Sequence, residues 1–92
     1  MIQIELTLED NFKYKLSNND MLKIFPYSKI VKGGLEFSLV KAKLLNLKDM
    51  IENKKAKEVF IWNTNHEHYR IINTKHKDCN LSDLIDAISY VF

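Results

Sequence analysis

The chain has one cysteine, one proline and two glycines in 92 residues. A lone cysteine, Cys79, closes no intrachain disulfide, which excludes a disulfide-stapled secreted scaffold and predicts a reducing, cytoplasmic setting. Gly33 and Gly34 are adjacent and are the only glycines, so no Gly-rich loop exists to cradle a phosphate. Arginine occurs once, as Arg70, against thirteen lysines. Lysine is a hydrated point charge, whereas the planar arginine fork reads guanine or clamps phosphate, so base-specific readout of nucleic acid is not expected. No apolar run approaches the roughly 20 residues of a membrane span, and no membrane partner is expected. The opening Met1-Ile2-Gln3-Ile4-Glu5 carries no basic start, which predicts no secretory leader.

What is present fits a folded chain. The apolar share is 46%, which argues against disorder, and the length suits a single domain over residues 1–92. Lys, Asn and Ile are frequent; their AT-rich codons suggest a low-GC bacterium or one of its mobile elements. Charge is sorted along the chain. Residues 1–10 sum to −3, residues 11–57 to +7 and residues 58–92 to −2, within a net charge of +2. Such sorting can orient a small domain on a charged partner.

Residues 2–8 alternate, with Ile2, Ile4, Leu6 and Leu8 on one face and Gln3, Glu5 and Thr7 on the other. Phe12, Tyr14 and Leu16 alternate with Lys13 and Lys15 in the same way. Period two marks half-buried strands, and Glu9-Asp10-Asn11 supplies a hairpin loop between them. Pairing Leu8 with Phe12 sets Leu6 against Tyr14 and Ile4 against Leu16. The same register places Glu5 opposite Lys15, so both faces agree on it. Ser17 followed by Asp20 carries capping-box grammar and predicts a helix near 18–24, ended by Pro26. A short strand over 27–31, a turn at Lys32-Gly33-Gly34 and a strand near 35–42 are expected next.

Asn46 with Asp49 and Asn80 with Asp83 repeat the cap pattern, placing helices near 46–55 and 80–91. The recurrence reflects the preference for an anion at a helix N-terminus rather than an internal repeat. In the last helix Leu81, Leu84, Ile85 and Ile88, with Val91 or Phe92, form one apolar stripe. Val59-Phe60-Ile61-Trp62 is continuously apolar, as in a strand covered on both faces or central in a sheet. After a turn at 63–67, residues 68–73 return with Tyr69 and Ile71 on one face and Arg70 and Ile72 on the other. The expected architecture is therefore a small α+β domain. Its antiparallel sheet of about five strands comes from hairpins 2–16 and 58–73 plus the strand near 35–42, packed against two or three helices.

His66, His68, His76 and Cys79 fall within fourteen residues and offer the nitrogen and sulfur donors that zinc takes. Zinc knuckles, however, bring two cysteines. His66 and His68 therefore read as decoration of a hairpin turn, and Cys79 as a small hydrophobe before the last helix. Cys79 with His76 or His68 also has the elements of a nucleophile and base. Asp78 beside it opposes thiolate formation, and no Gly-rich turn offers an oxyanion hole. No metal, cofactor or enzymatic activity is expected.

The basic segment is the strongest cue. Lys13 and Lys15 share one strand face, and Lys41, Lys43, Lys48, Lys54, Lys55 and Lys57 surround the middle helix. Gathered together they would make a contact surface for an acidic protein or for nucleic acid; dispersed, they are ordinary solvated surface. Tyr27, after Pro26, is the expected exposed aromatic anchor, while Trp62 reads as core. The function these features suggest is a non-enzymatic binding module of phage or mobile-element type. It would inhibit a host nucleic-acid-processing or defence complex by direct protein binding through the lysine-rich face. The alternative is a direct, largely sequence-independent nucleic-acid binding protein. A net charge of +2 opposes wholesale DNA mimicry. A strand such as 2–8 at a sheet edge could also pair with its copy.

Overall fold

Alternation at one end of the chain and three-four spacing at the other lead to two layers, a sheet and the helices on it. The computed structural model describes residues 2–25, 29–31, 34–36, 45–63, 67–75 and 81–91. The elements are β1 (Ile2–Leu8), β2 (Lys13–Lys15), α1 (Asn18–Ile24), β3 (Lys29–Val31), β4 (Gly34–Glu36), α2 (Leu45–Asn53), β5 (Ala56–Asn63), β6 (His68–Asn73) and α3 (Leu81–Val91). The main sheet is antiparallel with strand order β2-β1-β5-β6, and β3-β4 is a separate hairpin. The chain is thus a small α+β protein, and among the described residues its main sheet has four strands, consistent with the about five expected. The strand expected near 35–42 is β4, which pairs with β3 instead of joining the main sheet. Pairing Val31 with Gly34 closes the shortest loop available, at the least entropic cost. Residues 37–42 of that expectation lie outside the described residues.

The first hairpin has the register that both faces of its pattern demand. Glu5 pairs with Lys15 and Leu6 with Tyr14, while the Leu8 N–H donates to the Phe12 carbonyl at 2.9 Å and the Leu16 N–H to the Ile4 carbonyl at 2.9 Å. Asn11 takes the left-handed conformation (φ 68°) that a three-residue hairpin loop requires. Phe12 departs from its expected core face and is 58% exposed, because it lies beyond the three paired residues of β2. A bulge at Lys57 separates the Thr7–Glu58 and Leu8–Ala56 pairs.

Ser17 caps α1. Its Oγ accepts from the Asp20 N–H at 3.2 Å, and the Asp20 carboxylate accepts from the Ser17 N–H at 3.1 Å. The Tyr14 hydroxyl donates to the same carboxylate at 2.8 Å. Asn46 does not cap α2 as expected, because the helix already starts at Leu45. Its side-chain N–H donates instead to the Lys23 carbonyl in the last turn of α1, tying the two helices together.

The core lies between one face of the sheet and the helices. Ile4 and Leu6 of β1, Val59 and Ile61 of β5, Ile24 of α1, Leu47 of α2 and Leu84, Ala87 and Ile88 of α3 are all inaccessible or nearly so. Asn63 joins α3 to β5 through a 3.2 Å bond from its side-chain N–H to the Val91 carbonyl. The expected α3 stripe is corrected at one position. Ile85 is 42% exposed and Ala87 takes the buried place, since at about 100° per residue positions 84, 87, 88 and 91 share one arc. No helix among the described residues is long and apolar enough to cross a membrane.

Candidate functional site

With the described helices gathered on one side of the sheet, strand register decides what stands on the other. One cross-strand row is Lys15, Glu5, Phe60 and Ile71; the next is Lys13, Thr7, Glu58 and Asn73; the third is Gln3, Trp62 and Tyr69. The opposite parity, Ile4, Ile61, Leu6 and Val59, points into the core. This split explains the continuous apolar run in β5. Val59 and Ile61 serve the core, while Phe60 and Trp62 stand on the open face.

Trp62 pairs directly with Tyr69, and Phe60 with Ile71. Such neighbours attract across antiparallel strands. The result is an apolar cluster of four side chains on a surface. Tyr69 is 64% and Ile71 49% exposed, and Phe60 and Trp62 are half-buried. Trp62 is therefore not a core residue. An open depression of about 530 Å³ is lined by Phe60, Trp62, Asn63, Glu67 and Tyr69. At its flank Lys13 donates from Nζ to the Thr7 hydroxyl at 2.9 Å, and the same ammonium stands 5.2 Å from the centre of the Phe60 ring. That placement adds a cation–π contact and covers Thr7. The Gln3 side-chain carbonyl, in the third row of this face, is buried and without a donor among the described residues.

The face carries both signs of charge. Lys13 and Lys15 stand in its rows with Glu5 and Glu58, and Glu67 borders its depression. On the other side of the sheet burial pushes the Asp20 carboxyl up. The Tyr14 hydroxyl and the two Ser17 donors, with Lys23 nearby, outweigh it and hold the group below its ordinary value of 3.8. The same hydrogen bond, with burial and the Asp20 charge, raises the Tyr14 hydroxyl.

The lysines singled out by sequence divide between the two sides. Lys13 and Lys15 belong to the open face. Lys54 lies across the sheet from them, its ammonium 4.1 Å from the centre of the Tyr14 ring, and Tyr14 shares the core-side row of Leu6. Lys48 is exposed on α2, and Lys55 is exposed in the left-handed turn that follows it (φ 52°). Lys57, at the bulge, donates to the Asn11 side chain of the first hairpin loop. Tyr27, Lys41 and Lys43 lie outside the described residues, as do His66, His76 and Cys79. His68 is exposed and meets the Tyr90 ring edge-on at 6.4 Å. Among the described residues no three His, Cys, Asp or Glu side chains gather as a metal site would need.

Sequence reasoning missed the open-face cluster, although its signal was present. The Tyr69-Ile71 alternation and the unbroken apolar run in β5 give the sheet a second apolar face without telling whether an element covers it. No protein-family model, no curated protein and no solved structure matches the chain.

Proposed function

We propose that this chain is a non-enzymatic binding module that engages a protein partner through the open face of its main sheet. The observation that carries the reading is the side-by-side placement of Trp62 with Tyr69 and Phe60 with Ile71 on a face from which the described helices are absent. Exposed apolar area costs about 25 cal/mol per Å², so a partner that covers these rings gains from their desolvation. Large aromatic side chains in a central patch are the usual anchors of protein interfaces. Lys13, Lys15, Glu5, Glu58 and Glu67 surround the patch with both signs, which suits the polar rim of a protein contact and sets orientation. Inhibition of a host nucleic-acid-processing or defence complex is the form of this reading that small size and composition suggest. The module would then act by occupying an apolar patch on its target.

A second reading is favoured by one observation, the Lys13 ammonium over the Phe60 ring beside Trp62 and Tyr69. Rings that stack bases beside cations that meet phosphates describe a single-strand nucleic-acid platform. The carboxylates of Glu5, Glu58 and Glu67 on and beside the same face repel a phosphate chain, so the protein partner is preferred.

The test is a pull-down from native host cells with tagged wild-type protein and three variants, each checked for fold by circular dichroism. Wild type and the helix-side variant Lys48→Glu retain one stoichiometric protein, and Trp62→Ala and Tyr69→Ala lose it. Retention of that protein by both aromatic variants rules the open face out. Recovery of nucleic acid alone, lost as salt rises, selects the second reading.

A further inference from the structure

Strand β6 is the longer edge of the main sheet, and every residue from His68 to Asn73 except Ile72 is exposed. The shorter edge, β2, has three residues. Six-residue edges are ordinarily blunted by proline, a bulge or a covering element, because their free peptide groups template further pairing. β6 contains no proline, and its register with β5 runs without a shift. Among the described residues no strand pairs with its outer side.

The direction of its peptide groups follows from one bond. The Thr74 N–H donates to the Lys57 carbonyl at 3.0 Å. In an antiparallel ladder alternate residues turn toward the same neighbour, so Ile72, Arg70 and His68 bond to β5. Tyr69, Ile71 and Asn73 therefore direct their N–H and C=O groups outward. Among the described residues the edge is also accessible. An open depression of about 420 Å³, lined by Tyr69, Arg70, Ile71 and Tyr90, straddles it. Arg70 does not obstruct it, since its guanidinium is drawn toward α3 and lies 5.7 Å from the centre of the Tyr90 ring.

We infer that this edge binds a second copy of the chain, antiparallel β6 to β6 about a two-fold axis through Ile71, continuing the main sheet across both copies. Three observations select this occupant and this register. Centring on Ile71 sets it against Ile71 of the second copy and Tyr69 against Asn73, all with outward peptide groups. Beyond the strand ends the same register brings Glu67, in the turn before β6, toward Lys75, in the turn after β6 of the other copy, and the reverse at the far end. Both are exposed, and opposite charges brought close attract. Centring on Arg70 instead would oppose two guanidinium groups. In the Ile71 register Arg70 faces Ile72.

Sedimentation equilibrium over micromolar to millimolar protein tests this, with wild type, Ile71→Lys, Glu67→Lys, Lys75→Glu and the double swap Glu67→Lys with Lys75→Glu. Ile71 turns its peptide away from β5 and the two charged residues lie in exposed turns, so the fold survives; circular dichroism verifies it. Wild type is a reversible dimer and Ile71→Lys a monomer. Each single charge reversal weakens the dimer by ~10-fold, because two attractive pairs become repulsive. The double swap restores the dissociation constant toward that of wild type. A wild-type monomer at every concentration overturns the inference. So does a dimer indifferent to Ile71→Lys, or a double swap no better than either single change.

Discussion

The Asp20 carboxylate accepts from the Ser17 N–H, which closes the cap of α1, and from the Tyr14 hydroxyl, and it lies in the field of Lys23. Its carboxyl titrates below the ordinary value of 3.8 in the folded chain. A group held below its unfolded value adds stability above that value and loses it as pH falls through the folded one. Urea titrations below pH 3.8 should therefore show this increment disappearing. Tyr14→Phe, which removes the hydroxyl donor, should flatten that acid limb while leaving the hairpin intact. Ser17→Ala removes the other half of the box and should cost about 1 kcal/mol at neutral pH. An acid limb unchanged by Tyr14→Phe contradicts this assignment. The cap was legible in sequence because its grammar is local, a Ser followed three residues later by an acid. The bond from Tyr14 was not, since it depends on how the hairpin folds back over the helix.

At the scale of the element, the two faces of α3 make different predictions. Ile88 is fully buried against the sheet, and Ile88→Ala should cost about 2–5 kcal/mol by leaving a cavity. Ile85, one turn earlier, is 42% exposed, and Ile85→Ala should shift the urea midpoint far less. Equal losses at the two positions would mean that the helix is rotated from the orientation described. The hairpin register, the α1 cap and all three helix positions were readable from spacing alone. Each is fixed within a few residues by alternation, a capping pair or a three-four repeat. Ile85 was misplaced because a stripe of isoleucines and leucines is wider than the arc a single sheet can bury. Asn46 was misread for a comparable reason. Asparagine suits a cap, but here its amide answers a carbonyl of another helix, and that partner is 23 residues away in sequence.

For the whole molecule, the decisive property is which side of the sheet the helices occupy. A continuous apolar strand reads the same whether one face or both are covered, and only the packing of α1, α2 and α3 onto the Ile4–Ile61 side reveals that Phe60 and Trp62 are left on the other. Charge told less. The lysines cluster in sequence, yet the described ones fall on both sides of the sheet, because β2 projects Lys13 and Lys15 one way while Lys54 folds over Tyr14 on the other. Trp62 is the only tryptophan in the chain, which makes the open face directly observable. Fluorotryptophan incorporated into this protein alone gives a single fluorine resonance, followed while the unlabelled captured partner is titrated in. Docking on the open face predicts that this resonance shifts or broadens in step with complex formation. A resonance that stays unchanged while the complex demonstrably forms would place the contact elsewhere on the molecule and contradict the account.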